Sequence, residues 1–166
     1  MANYDWTKFT RRITIDASIG QIYELWSRQE GLERWFLRQA VFTDLDKKQK
    51  PANAFIGQGD TYRWLWFGYP DTVFEEGIIL DANGNNMVQF TFAKHCVVTV
   101  RIVSELGQNI CELVQSQIPD NEQSKISLHI GCLTGWTFYL SNLKSVLEGN
   151  IDLRNKNEDI PGVLNA

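Results

Sequence analysis

Long hydrophobic runs, an excess of positive charge and paired cysteines are all missing from this 166-residue sequence. No stretch approaches the ~18 apolar residues of a membrane-spanning helix, and residues 1–12 lack the apolar core of a signal peptide. Sixteen Lys and Arg against twenty Asp and Glu give a formal charge of −4, which argues against binding to nucleic-acid phosphates. We therefore expect no membrane span, no secretion and no nucleic-acid partner.

Cysteine and histidine are scarce, with three and two copies respectively. Cys96, Cys111 and Cys132 cannot all pair and show no Cys-x-x-Cys spacing, so a reducing, cytoplasmic location is expected. His95 and Cys96 are neighbours on a predicted strand and therefore point to opposite sides, so they cannot complete one zinc site with His129 and Cys132. We expect neither a metal nor another cofactor.

Large apolar side chains are abundant instead. Hydrophobic residues make up 43% of the chain, with six Trp, five Tyr and nine Phe. This composition and length predict one domain with one core over residues 1–166, in which residues 150–166 form a polar tail.

The first half of the sequence predicts a strand, a helix pair and then a series of strands. Residues alternate over Phe9–Asp16, and Ser18 with Gln21 forms a capping box that starts a helix. A second short helix follows a break at Gly31. Turn signals between residues 40 and 119 separate five or six β-branched and aromatic runs, with a tight two-residue turn predicted at Asn83-Gly84.

The second half ends in a long amphipathic helix. Apolar residues repeat at three and four positions from about Ser127 to Glu148, which predicts one continuous helix with Trp136, Leu140 and Leu143 buried. The helix and the sheet each have one apolar face, so a curved sheet wrapped around the helix is the simplest α+β arrangement. A helix cannot fill a strongly curved sheet completely, and a cavity is therefore expected.

Three segments carry a family resemblance: residues 22–26 (IYELW), 30–36 (EGLERWF) and 135–148 (GWTFYLSNLKSVLE). They resemble the SRPBCC superfamily, in particular its START-like branch named for the activator of heat-shock protein 90 ATPase. The resemblance runs from about Thr7 to Arg154 and implies a helix-grip fold. That fold is a curved antiparallel β-sheet around a long C-terminal α-helix, with two short helices after the first strand and a deep apolar cavity.

The candidate ligand-binding residues are those expected to face this cavity: Tyr62, Trp64, Glu76, Phe90, Phe92, Val100, His129 and Trp136. Glu76 is included because it would lie beside Phe74, Ile78 and Leu80 if these face inward, where loss of water would raise the pKa of its carboxyl. Glu75 would then face solvent. A bulge at Gly77 would reset this register and leave the Glu76 carboxylate exposed to solvent.

Three functions are consistent with these residues. The leading one is binding of a small apolar or amphipathic molecule, such as a lipid or a flat aromatic compound, without catalysis. The second is a chaperone-associated role in which an apolar rim and the C-terminal tail bind a protein partner. The third is a cyclase or hydrolase that uses Glu76, Tyr62 or His129 as acid or base. No Gly-x-Ser-x-Gly or His-Glu-x-x-His motif is present to support catalysis.

Overall fold

An antiparallel sheet of seven strands is the framework of the computed structural model, which describes residues 4–164. The strands are β1 (Phe9–Ile15), β2 (Gln39–Thr43), β3 (Thr61–Leu65), β4 (Phe74–Ala82), β5 (Met87–Phe92), β6 (Cys96–Glu105) and β7 (Gln108–Ser116). Their order across the sheet is β1-β7-β6-β5-β4-β3-β2. Strands β2 to β7 therefore follow one another as a meander, and β1 returns to pair with β7.

Helices cover one face of this sheet. Two short ones, α1 (Ile19–Ser27) and α2 (Gln29–Trp35), carry the chain from β1 at one edge to β2 at the other. After β7 come α3 (Glu122–Ser124), a π-helical stretch (Lys125–Ile130) and α4 (Gly131–Gly149), which form one continuous helical segment. The predicted helix-grip α+β architecture is confirmed. Within residues 4–164, no helix combines the length and the apolarity needed to cross a membrane.

The long C-terminal helix extends further toward the N-terminus than predicted. It starts at Glu122 instead of near Ser127, because the Asn121 side chain accepts a hydrogen bond from the backbone N–H of Ser124 at 2.9 Å and caps the first turn. The helix runs through residue 135 without a break. Trp136, Leu140 and Leu143 are buried as the apolar repeat indicated.

The helix pair also follows the prediction, with one difference at its junction. The capping box is formed, since Ser18 Oγ accepts from the Gln21 N–H at 3.2 Å and the Gln21 side chain accepts from the Ser18 N–H. Gly31, however, lies inside α2 and does not interrupt it. A Cβ at this position would lie 2.4 Å from the Glu24 carbonyl oxygen, so only glycine lets the two helices approach this closely.

The hairpin between β4 and β5 is wider than predicted. Four residues separate the strands, and of the pair at its start only Gly84 has a positive φ. Asn83 instead uses its side-chain oxygen to accept backbone N–H groups from Asn85, Asn86 and Met87 at 2.9–3.0 Å. The prediction of a two-residue turn was wrong because Asn83 acts as a side-chain cap and not as a left-handed turn residue.

The segment after α4 packs against the end of α2. Arg154 is 6% exposed, and its guanidinium donates to the backbone carbonyls of Leu37 and Glu33 at 2.9 and 3.0 Å. It also pairs with Asp152 at 2.7 Å. Burial by itself would raise the pKa of Asp152, but hydrogen bonds from Arg154 and Lys156 outweigh it and hold this pKa well below its ordinary value. The beginning of the predicted polar tail is therefore tied to the domain.

Replacing Arg154 should destabilise the protein. The change Arg154→Met keeps an apolar stem but takes the guanidinium donor from two buried carbonyls and from the Asp152 carboxylate, which we expect to cost about 2 to 4 kcal/mol of unfolding free energy. Denaturant unfolding at pH 7 measures this. The native pKa of Asp152 is lowered, so its contribution is complete above the ordinary carboxyl pKa and is lost only as the pH falls through the native value.

Lys156 provides the matched control, because it pairs with the same carboxylate at 2.9 Å but is 54% exposed. Lys156→Ala should cost less than about 0.5 kcal/mol. Equal losses in the two variants would show that the buried contacts of Arg154 do not stabilise the fold.

Candidate functional site

An open pocket of about 320 Å³ lies at one end of the concave side of the sheet, where α4 begins. Its walls come from α4, the end of α2, the loop between β3 and β4, and the end of β5. Six aromatic side chains line it: Phe36, Trp66, Tyr69, Phe92, Trp136 and Tyr139. The pocket is therefore a mainly apolar, ring-lined opening to solvent.

One face of the long helix leaves the space for this pocket. Ser127, Gly131, Gly135 and Tyr139 all line it and recur every fourth residue, which places them on the same side of the helix. The first three have little or no side chain. A Cβ at Gly131 would meet nothing nearer than the Ile126 carbonyl oxygen at 3.6 Å. The volume thus results from small residues on the helix.

The inner wall is held by Trp136, which packs against rings from three directions. Its centroid lies 5.0 Å from that of Phe36, 5.2 Å from that of Phe92 and 5.9 Å from that of Trp26. Its indole N–H donates to the side-chain oxygen of Gln115 on β7 at 2.9 Å. Since Gln115 is fully buried, this hydrogen bond joins the helix to the sheet away from water.

Two of the candidate residues, Phe92 and Trp136, border the pocket. Tyr62, Trp64, Phe90 and Val100 are instead buried in the packed centre of the domain. The rings of Tyr62 and Trp64 stack at 3.8 Å, and Phe90 meets Trp64 at 5.3 Å. Aromatic rings fill the space beneath the middle of the helix, so the open pocket lies nearer the helix start.

The inward placement of Glu76 is wrong. Strand β4 has the opposite register, with Phe74 and Ile78 each 45% exposed on the outer face. Glu76 lies on that face too, its side chain 60% exposed and paired with Arg63 at 3.5 Å. Arg63 also covers the Phe74 ring at 4.3 Å, which explains how an apolar side chain is accommodated outside.

Glu75 takes the inner position in place of its neighbour. It pairs across the strands with Trp64, and directly opposed residues share a face of the sheet. Its carboxylate accepts the backbone N–H of Ala93 at 2.8 Å. Burial raises the pKa of Glu75, opposed by that hydrogen bond and by His95. The register shift in β4 falls between Ile79 and Asp81, and not at Gly77, where a bulge was the alternative considered.

His129 is buried but does not line the pocket. Its Nδ1 lies 2.9 Å from the carbonyl oxygen of Trp6, and its Nε2 lies 2.9 Å from the Tyr4 hydroxyl. A carbonyl can only accept, so Nδ1 carries a proton and donates it to this hydrogen bond. His129 therefore fastens the N-terminal segment to the helix, and its proposed contact with a cavity ligand has no geometric support.

Cys132 is the cysteine that lines the pocket, whereas Cys96 and Cys111 are fully buried in the core. Burial raises the pKa of Cys132, and the nearby Glu75 carboxylate adds to this. The thiol is therefore protonated at neutral pH. Over residues 4–164, no group of three or more His, Cys, Asp or Glu side chains is arranged to hold a metal ion.

Residues 16–148 match the family described as activator of Hsp90 ATPase homolog 1-like proteins. The chain belongs to this family. Among curated protein sequences none matches it. The resemblance seen in the sequence is thus confirmed at the level of the family and the fold.

Solved structures place this AHSA1-like chain among proteins of the same fold. A protein from Staphylococcus saprophyticus superposes with a TM-score of 0.68 at 16% identity, covering 89% of this chain and 96% of its own. The Aha1 dimer from Colwellia psychrerythraea gives 0.65 at 18% identity, covering 86% and 96%. CalU16 from Micromonospora echinospora gives 0.62 at 15%, covering 88% and 77%. At these identities the likeness concerns the fold alone.

Most of the pocket residues of this AHSA1-like protein escaped the sequence interpretation. The strongest signal for them was the four-residue spacing of Ser127, Gly131, Gly135 and Tyr139. The prediction followed the bulky apolar stripe on the neighbouring helix face, because that stripe identifies what is buried. Small residues on a helix face leave open space beside it, and a search for large apolar residues does not find them.

The packed centre and the open pocket should respond differently to loss of a ring. Trp64 is 1% exposed among five other aromatic rings, so Trp64→Ala should lower the unfolding free energy by roughly 3 to 5 kcal/mol. Trp66 is half-buried at the pocket wall, and Trp66→Ala should cost less than about 2 kcal/mol. Denaturant unfolding of both variants checks this, and a small loss at Trp64 would contradict a filled centre.

Proposed function

We propose that this AHSA1-like protein binds a small, mainly apolar molecule in the pocket at the start of α4. The supporting observation is the pocket itself, in which six aromatic side chains surround a helix face that has no bulky residue at 127, 131 or 135. Ligand sites are typically concave, apolar and furnished with a few polar groups, with volumes from about 300 Å³ upward. At about 320 Å³ this pocket suits a ligand of one or two rings.

The polar groups on the wall favour binding over acid–base catalysis. Burial raises the pKa of Tyr139 and of Cys132 above their ordinary values. Both groups therefore keep their protons at neutral pH and are suited to donating hydrogen bonds. A general base or an activated nucleophile would need the opposite shift.

The proposal can be tested by filling the pocket from the helix. Gly131→Leu directs a branched side chain into the space, so binding of the neutral dye N-phenyl-1-naphthylamine should fall at least tenfold relative to the unaltered protein. Fluorescence titration measures this. Gly131→Ala is the control: it should retain dye binding and raise the unfolding free energy by about 0.5 to 1 kcal/mol, since alanine favours the helix. Equal dye affinity in the leucine variant would exclude this pocket as the binding site.

Cys132 offers an independent readout at the same place. Alkylation by iodoacetamide followed by mass spectrometry should modify the native protein at Cys132 and spare the two buried thiols. Because the pKa of Cys132 is raised, the rate should increase about tenfold for each pH unit between 7 and 9. Saturating dye should slow the reaction at least fivefold. A rate that is unaffected by dye would place the dye elsewhere.

A second candidate function is binding of a protein partner, including another copy of the chain. Ile126 and Ile130 lie four residues apart on the helical segment and are 67% and 48% exposed. The Aha1 relative from Colwellia psychrerythraea was solved as a dimer. If this patch mediates association, sedimentation velocity should show a dimer that the double change Ile126→Ser and Ile130→Ser converts to monomer, with dye binding preserved.

A further inference from the structure

We propose that Glu75 is the polar anchor of the pocket and that it selects apolar ligands carrying a hydroxyl or amino group. This inference rests on the proposed binding function and adds the chemistry of the ligand's polar end. The sequence interpretation had placed a carboxylate among the apolar residues here but had assigned it to Glu76. In the structure the carboxylate on the inner face belongs to Glu75, one residue earlier.

Glu75 does not itself line the pocket, but its position on the sheet and one hydrogen bond place it close to the pocket wall. It opposes Trp64 on the concave face of the sheet. Its Oε1 accepts the N–H of Ala93 at 2.8 Å, and Ala93 directly follows Phe92, a wall residue of the pocket. Burial raises the pKa of Cys132, another wall residue, and the charge of Glu75 adds to the same shift. The carboxylate is therefore near the wall formed by β5 and the start of α4.

The surroundings of Glu75 leave part of the carboxylate available. Within residues 4–164, its one hydrogen bond is the bond to Ala93, and none of the ion pairs includes it. The titratable groups that interact electrostatically with it are His95 on the following turn, Tyr62 on β3, Cys96 on β6 and Cys132 on α4. Tyr62 already donates its hydroxyl proton to the Thr91 carbonyl at 2.5 Å. The side chain thus has spare acceptor capacity in a half-buried place.

A half-buried carboxylate with spare acceptor capacity discriminates strongly between ligands. A hydroxyl or amine on the ligand would donate a charge-assisted hydrogen bond to it, which is stronger than a hydrogen bond between neutral groups. A ligand carboxylate would meet a like charge and would also lose its own hydration. We therefore expect phenols, alcohols and amines with an apolar body to bind better than the corresponding acids.

Glu75 also has a structural contact that the experiment must separate from ligand recognition. The turn after β5 contains three successive residues with positive φ, Ala93, Lys94 and His95, at 48°, 61° and 76°. Such residues are strained, and the bond from Ala93 to Glu75 helps to hold the turn. Glu75→Gln keeps an oxygen that can accept from Ala93 but removes the charge, so the turn is preserved while the proposed anchor is weakened.

The experiment compares two ligands that differ in one donor. 2-Naphthol carries a hydroxyl, and 2-methoxynaphthalene has the same ring system with that donor methylated. Isothermal titration calorimetry at pH 7.5 should show 2-naphthol binding about tenfold more tightly to the unaltered protein, as a charge-assisted hydrogen bond predicts. In Glu75→Gln the two dissociation constants should differ by less than about threefold, with that of 2-methoxynaphthalene unchanged.

Glu76→Gln is the matched control, because it removes the same charge from the neighbouring residue on the outer face. This variant should keep the tenfold preference. Equal binding of the two naphthalenes to the unaltered protein would overturn the role of Glu75 without any variant, as would a preference that survives in Glu75→Gln. Failure of N-phenyl-1-naphthylamine and both naphthalenes to bind would instead overturn the pocket function, and this inference with it.

Discussion

The hydrogen bond from the Trp136 indole to Gln115 fixes the position of the long helix over the sheet. Both partners are buried, so separating them would leave a donor and an acceptor without water, a cost of about 1 to 3 kcal/mol for each unpaired group. The hydrophobic stripe alone would allow α4 to slide along the sheet or turn about its axis. A single buried polar contact selects one position, and the placement of the pocket-lining helix face follows from it.

This constraint explains why the domain is filled in the middle and open at one end. With Trp136 held against Gln115, its ring meets those of Trp26, Phe36 and Phe92 and closes the space between the helices and the sheet. On the neighbouring face of the same helix, Gly131 and Gly135 have no side chain to reach the opposite wall. One face of α4 therefore packs against the core, and the face beside it leaves the pocket open.

The sequence was sufficient to predict the fold because its patterns are redundant. The alternation over Phe9–Asp16, the capping box at Ser18, and the repeat through Trp136 and Leu143 all indicate the same arrangement. The register of β4 was not predictable from Phe74 to Leu80, because apolar residues stand on both faces of the strand. A carboxylate could be placed within one residue, but its side depended on the cation that covers Phe74, which belongs to another strand.

The π-helical stretch Lys125–Ile130 accommodates one extra residue in the helical segment. Its last hydrogen bond runs from the Gly131 N–H back five residues to the Ile126 carbonyl, one more than in a regular helix. Because a π-helical turn holds one more residue than an α-helical turn, deleting one residue there would restore ordinary winding and leave the helix on either side close to its present orientation. The extra residue is thus absorbed within one wide turn, and its presence costs α4 none of its alignment with the sheet.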